Sequence, residues 1–277
     1  MKKTDIYADF HVHTHISPCG KPAATLQAMI HRAAEKGLAA IGFADHCTPC
    51  PVPGCTFYDT QRIDILTRLR AELADVPLPD GLEVLVGVEA DYTLAGAGCI
   101  DEAMLHQCDH IIGAASHFHL PAAPVPAEDT AASKAELMAL MARELLVLPG
   151  ISVWAHPFDC SAMRPLLPIL AAVEDSVLAD LITLANRHRV AIEINGGAAQ
   201  HPAYREAASR FFQQARNMGA RFTVTADAHH PNDFERLDIA VDWALAMGFR
   251  ESDFVTVSEL RASQQEKMRT IFSVKVR

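Results

Sequence analysis

The sequence predicts an α/β barrel, and three observations carry that prediction. Seven short apolar, β-branched runs alternate with stretches of helical period, the order that produces a parallel sheet with helical crossovers. Half of the 277 residues are hydrophobic, enough for a substantial core. Each of the seven runs also ends on, or is followed by, His, Asp, Glu or Asn. Side chains of that kind at the carboxyl ends of strands are where an α/β barrel builds its site. An open dinucleotide-binding sheet would carry Gly-x-Gly-x-x-Gly after its first strand, and no such fingerprint is present. With neither a long linker nor an internal repeat, residues 1–277 are expected to form a single domain, with 250–277 as a closing segment.

The first strand is expected at 6–10, running into Asp9-Phe10-His11-Val12-His13. Side chains two apart on an extended chain face the same way, so His11 and His13 share a side with Asp9 behind them. Two imidazoles placed so can grip one metal ion while a carboxylate behind them orients a ring nitrogen. A helix at 24–36 follows, with Leu26, Met29, Ile30 and Ala33 on one face and Gly37 as its stop. The second strand, 39–44, delivers Asp45 and His46. The stretch 47–58 is irregular, with Pro49, Pro51, Pro53 and Gly54, and reads as a loop at the barrel mouth. A helix at 60–74 shows Ile63, Leu66, Leu69 and Leu73, and the strand at 83–88 delivers Glu89 and Asp91. The run Ala95-Gly96-Ala97-Gly98 is a second mouth loop.

The strand at 110–114 delivers His117 and His119, and 121–130 is a third loop. A helix at 134–148 stops before Gly150, and the strand at 151–155 delivers His156. After a helix at 176–188, the strand at 190–194 carries Glu193 and Asn195. A helix at 204–218 stops at Gly219, the strand at 222–226 delivers Asp227, His229 and His230, and a helix at 233–247 follows. A closing helix is expected near 259–268.

Composition narrows the function. The formal net charge is −10, from 24 basic and 34 acidic residues, which disfavours nucleic acid and other long polyanions as partners. No run is long and apolar enough to span a membrane, and no apolar signal region follows Met1-Lys2-Lys3, so a cytoplasmic location is expected. Seven cysteines in a chain of this length do not suggest a secreted disulfide framework. Cys47-Thr48-Pro49-Cys50, with Cys55 and Cys19 as a further candidate, has partial zinc-knot spacing but lacks a second Cys-x-x-Cys, so loop thiols are the favoured account. Fourteen histidines are an excess that points to metal. His106, Asp109 and His110 precede a strand and should be structural, His31 should lie on a solvated helix face, and His188 sits near a helix end, where a positive ring suits the dipole. His15, His119, His201 and His230 belong to mouth loops, as candidates for substrate contact or for protonating a leaving group. Arg164, eight residues after His156, is a candidate substrate-binding residue whose planar fork suits a phosphate.

His11-Val12-His13-Thr14, Ala44-Asp45-His46, Gly87-Val88-Glu89-Ala90-Asp91, Ser116-His117, Ala155-His156-Pro157 and Asp227-Ala228-His229 occur in the order found in the PHP family, the polymerase-and-histidinol-phosphatase metal phosphoesterases. The chain resembles that family from residue 9 to about 235. The resemblance implies a distorted (β/α)7 TIM-like barrel with two or three divalent ions, zinc, manganese or iron, at the carboxyl ends of the strands. By matching position, His11, His13, Glu89 and Asp227 would hold one ion. Glu89 would bridge to a second, also held by His117 and His156, and His46 and His229 would hold a third. Family members often complete that third site with a histidine eight residues after the first motif histidine; here Cys19 stands there, and a thiolate is a good zinc ligand.

The implied reaction is hydrolysis of a phosphate ester of a small metabolite, histidinol phosphate being one option, by a metal-bound hydroxide. A small phosphodiester, such as a nucleotide or cyclic phosphate, is the alternative substrate. An amidohydrolase acting on C–N bonds also opens with His-x-His, but binuclear members commonly use a carbamylated lysine after strand 4. Here the nearest lysine is the distant Lys134. A vestigial, non-catalytic module would have lost ligands that this chain keeps.

Overall fold

The computed structural model describes residues 8–47, 64–92, 102–120, 123–160 and 162–275. Seven parallel strands, β1 (Ala8–Val12), β2 (Ala40–His46), β3 (Glu83–Asp91), β4 (Ile111–Ala114), β5 (Val153–Trp154), β6 (Ala191–Asn195) and β7 (Phe222–Thr225), pair in sequence order. The two edges then meet. Val12 bridges Ala228 in parallel, and the His13 amide donates to the Ala228 carbonyl at 2.8 Å. Asp9 staples the same seam, one carboxylate oxygen accepting from the His11 amide at 3.1 Å and the other from the Ala226 amide at 2.9 Å. The barrel is distorted in two places: four residues of β1, Asp9 to Val12, span what three residues, Ile41 to Phe43, cover on β2, and β5 has only two residues.

Alternation along the strands divides the apolar residues into an inner and an outer set. Ile41, Phe43, Val86, Val88, Ile192, Ile194 and Val224 pack outward against the helices. Phe10, Ala40, Ala44, Leu85, Ile112, Ala114 and Val153 fill the interior, which Leu260 joins from the last helix. Many inner residues are small because a seven-stranded barrel leaves little room inside.

The outer layer is α1 (Leu26–Glu35), α2 (Asp64–Ala74), α3 (Glu102–Gln107), α4 (Ala131–Leu146), α5 (Leu166–Ala172), α6 (Asp175–Arg187), α7 (Gly196–Ala199), α8 (Pro202–Asn217), α9 (Glu235–Ala246) and α10 (Val257–Lys275). Thr25 caps α1, its hydroxyl accepting from the Ala28 amide at 3.2 Å. The glycines read as stops, Gly37 and Gly219, follow the ends of α1 and α8 with φ of 72° and 74°. The short helices α3, α5 and α7 were not legible in the sequence. At four to seven residues they are too short to display a period, and α5 carries Pro168 inside it. The proline-rich stretch from Thr48, with Cys50 and Cys55, and the run Ala95-Gly96-Ala97-Gly98 lie outside the described residues.

His110 is structural, as its place before a strand suggested. It is fully buried, and its Nε2 donates to the Phe10 carbonyl at 2.9 Å. Gly42 and Gly87 make room for it; a Cβ at Gly87 would stand 2.5 Å from its Nδ1. Burial pushes its pKa down to about 4, against the pull of the Phe10 carbonyl and Asp109. The folded protein therefore prefers neutral His110, and the stability it contributes is present above the ordinary pKa of 6.5 and is lost as pH falls towards 4. Between pH 8 and pH 5 that loss is roughly 2 kcal/mol. Urea unfolding of wild type and His110→Gln at both pH values should show the variant losing that much less on acidification.

Candidate metal centre

The mouth of the barrel is assembled by register. β2 and β3 run in step from Ala40 opposite Glu83 to His46 opposite Glu89, which brings the last residue of β2 beside the carboxylate near the end of β3. His11 and His13 reach the same point from β1. His11 Nδ1 donates to Glu193 Oε1 at 2.7 Å, so its Nε2 lone pair points into the mouth. There it stands 3.1 Å from His13 Nε2. Glu89 Oε2 lies 3.4 Å from both nitrogens, and Asp227 Oδ1 lies 3.6 Å from His11 and 3.3 Å from His13.

The other oxygen of Glu89 faces a second pair. Oε1 is 3.0 Å from His156 Nε2 and 3.7 Å from His117 Nε2. Each of these rings is held from behind through Nδ1, His156 by the Ser116 hydroxyl at 2.7 Å and His117 by a short bond to Asp91. Both Nε2 atoms are thereby aimed at the carboxylate. Asp91 also reaches His46, whose Nδ1 is 3.2 Å from Asp91 Oδ2 and 3.3 Å from Glu89 Oε2. Ligand atoms of His13, Cys19 and His46 converge within 4.8 Å of one another, and the His229 ring stacks on His13 at 4.2 Å. All nine residues expected to bind metal, His11, His13, Cys19, His46, Glu89, His117, His156, Asp227 and His229, thus stand around one barrel mouth.

Their donor set fits divalent ions. Asp227 Oδ1 is buried with no hydrogen-bond partner while three imidazole nitrogens stand 3.3 to 3.6 Å away, His229 Nδ1 among them at 3.5 Å. Two imidazole nitrogens 3.1 Å apart beside two carboxylates are the arrangement a cation between them would satisfy. Electrostatics agree. Burial alone would push Glu89 upward, but His46 and His11 hold it well below the usual carboxylate range. Burial would likewise depress His11, yet Glu193, Asp227 and Glu89 raise it well above an ordinary imidazole. The cluster favours positive charge, which a bound ion would supply in place of protons.

The backbone carries strain at two of these residues: His156 has φ of 25° and Asp227 φ of 53°, conformations that L-residues seldom adopt and that cluster at functional sites. Asn195 acts as a brace. Its amide donates to Glu193 at 3.1 Å and to Asp227 at 3.4 Å, while its carbonyl caps α7 by accepting from the Ala198 amide at 2.9 Å.

One expectation needs correcting. Asp9 does not orient a histidine ring; it binds two backbone amides at the β1–β7 seam. The orienting carboxylate is Glu193, fully buried on β6. Its Oε1 accepts from His11 Nδ1 and from the Thr225 hydroxyl at 2.8 Å, and its Oε2 from the His156 amide at 2.6 Å and from Asn195. A sequence signal for it existed, since a carboxylate inside the apolar run Ala191-Ile192-Glu193-Ile194 must find partners to be buried. Asp45 accepts from the Thr14 amide and hydroxyl, both at 2.6 Å, and anchors the loop after β1.

Arg164 lies on the loop after β5, its side chain 42% exposed and 3.5 Å from Asp159. Of the four histidines read as mouth-loop residues, His119 places its ring 5.1 Å from that of His117. His15 faces Glu72 at 3.5 Å, and His230 Nδ1 accepts from the Asn232 amide at 3.1 Å.

A seven-stranded parallel barrel defines the class: an α/β barrel whose mouth gathers His, Cys, Asp and Glu side chains in groups that could hold divalent ions. The chain belongs to the PHP family; the PHP domain model matches residues 9–196, two thirds of its length, leaving Asp227 and His229 beyond the matched segment. It is similar to proteins named "Probable phosphatase" from two bacteria. The one from Vibrio parahaemolyticus is 26% identical over 261 residues, spanning 93% of this chain and 92% of the relative. The one from Vibrio vulnificus strain YJ016 is 27% identical over 258 residues, spanning 92% and 90%. Among solved structures, the fold matches histidinol phosphate phosphatase from Lactococcus lactis, crystallised with zinc, L-histidinol and phosphate. The TM-score is 0.60 at 17% identity, over 88% of this chain and 95% of that one.

Proposed function

We propose that this protein is a metal-dependent phosphatase that hydrolyses a phosphate monoester of a small metabolite, in the manner of a histidinol phosphatase. The observation that carries the proposal is Glu89, one of whose oxygens faces His11, His13 and His46 while the other faces His117 and His156, a disposition that would suit a carboxylate shared by two ions. The resemblance to proteins named as phosphatases supports it. His11, His13, Glu89 and Asp227 would hold one ion, and Glu89, His117 and His156 the second. Cys19, His46 and His229 would hold a third. Divalent ions held there would supply a nucleophile at neutral pH and positive charge against phosphoryl oxygens.

The chain's own residues do the positioning. Glu193, Ser116 and Asp91 fix the rings of His11, His156 and His117 from behind, so that the donor atoms need not reorganise during the reaction. Arg164 is proposed to meet the phosphate from the β5 loop, and Arg164→Met should raise KM more than it lowers kcat. A small substrate accords with the acidic balance of the chain, and no described helix is long and apolar enough to cross a membrane.

The deciding experiment screens the metal-loaded protein against phosphomonoesters, histidinol phosphate included, small phosphodiesters and amides. Preference for a phosphomonoester is the expected outcome. Exclusive turnover of diesters would move the protein to the phosphodiesterase alternative, and amide cleavage would overturn the proposal. Elemental analysis of gently purified protein should find at least two transition-metal ions per chain. Fewer than one, with no gain on adding zinc, manganese or iron, would remove the binuclear centre.

A further inference from the structure

The loop after β1 is built to place one atom. Asp45 clamps Thr14 by its amide and hydroxyl, and the Ser17 amide turns back onto the Thr14 carbonyl at 3.1 Å. Gly20 then passes so close that a Cβ there would stand 1.8 Å from the Thr14 carbonyl oxygen. The Lys21 amide fastens the end of the loop to the His229 carbonyl at 3.1 Å. The product of this folding is that Cys19 Sγ enters the same cluster as the ligand atoms of His13 and His46, with the Ser17 hydroxyl 3.0 Å from the sulfur. The other described thiols lie elsewhere: Cys47 and Cys108 are buried near one another, and Cys160 follows β5.

We infer that the three metal positions are chemically unequal, and that Cys19 makes the third a sulfur-containing site which selects a zinc-class ion over manganese or magnesium. The inference rests on the metallophosphatase proposal for the identity of the mouth as a metal centre. The first two positions offer only imidazole nitrogen and carboxylate oxygen, a set that accepts zinc, iron or manganese. Thiolate at the third favours zinc, cadmium or cobalt and disfavours the hard ions. Binding there forms a sulfur–metal bond, and a proton that the Cys19–imidazole cluster holds without the ion leaves to solvent.

Cobalt(II) reads this out without any assay of activity, because thiolate bound to cobalt gives a near-ultraviolet charge-transfer band that nitrogen and oxygen ligands do not. Metal-stripped wild type titrated with cobalt should take three equivalents and develop the band. Cys19→His should take three equivalents with no band, and should let manganese occupy all three positions. Cys19→Ala should bind one equivalent fewer, again with no band, while circular dichroism shows both variants folded. Three cobalt ions in the wild type without the band, or a band that survives in Cys19→His, would overturn the inference. Wild type that binds two ions and shows no band would also overturn it, yet leave the phosphatase proposal standing. Wild type that binds no cobalt at all would remove both.

Discussion

Glu89→Gln is expected to abolish turnover and to leave the barrel folded but unable to keep its pair of ions. The carboxylate is 1% exposed, and its two oxygens face separate sets of histidines, so one substitution disturbs both positions. Glutamine keeps the volume, yet its amide nitrogen cannot bind a cation, and only one of the two positions can retain an oxygen. The loss of metal affinity should therefore exceed the roughly 10–100-fold typical of changes to the groups behind metal ligands. Equilibrium dialysis against zinc with parallel rate measurements tests this, and normal activity in the variant would place the reaction elsewhere. His106→Gln is the control. That side chain is exposed on α3, at the opposite end of the barrel from the mouth, and its loss should leave metal content and rate unchanged.

Glu193→Gln should lower both stability and metal affinity although Glu193 touches no proposed ion. Each of its oxygens accepts from two donors: Oε1 from His11 Nδ1 and the Thr225 hydroxyl, Oε2 from the His156 amide and the Asn195 amide group. Whichever way a glutamine turns, its NH2 meets two of those donors head-on in a fully buried place. The unsatisfied group should cost roughly 1–3 kcal/mol, visible as a lower urea midpoint. The His11 ring then loses the partner that fixes its tautomer, and metal affinity and rate should fall about 10–100-fold. Glu193→Asp keeps the charge and should restore part of both. A Glu193→Gln protein with wild-type metal affinity would show that the carboxylate braces the fold alone.

How far the sequence could be read follows the range of the interactions. Leu26, Met29, Ile30 and Ala33 mark α1 by spacing alone, and Gly37 ends it, because helix period and left-handed stops are local properties. His11 and His13 share a face because strand geometry dictates it. Their convergence with Glu89, His117, His156 and Asp227 was anticipated from their common position after successive strands, since parallel pairing carries every strand end to the same rim. The mouth loops were harder, because neither an apolar period nor a motif states how a loop such as 14–21 curls.

The sequence by itself determined the order of the strands and longer helices, the barrel and the membership of the cluster at its mouth, all consequences of period two, period 3.6 and chain direction. Only the tertiary structure decided which carboxylate does what. Asp9, two residues from His11, was the nearer candidate to hold that ring, yet it closes the β1–β7 seam, while Glu193, 182 residues away, takes the ring nitrogen at 2.7 Å. A hydrogen bond across a closed barrel depends on the register of every strand between its partners, and that sum leaves no mark in the residues beside either end.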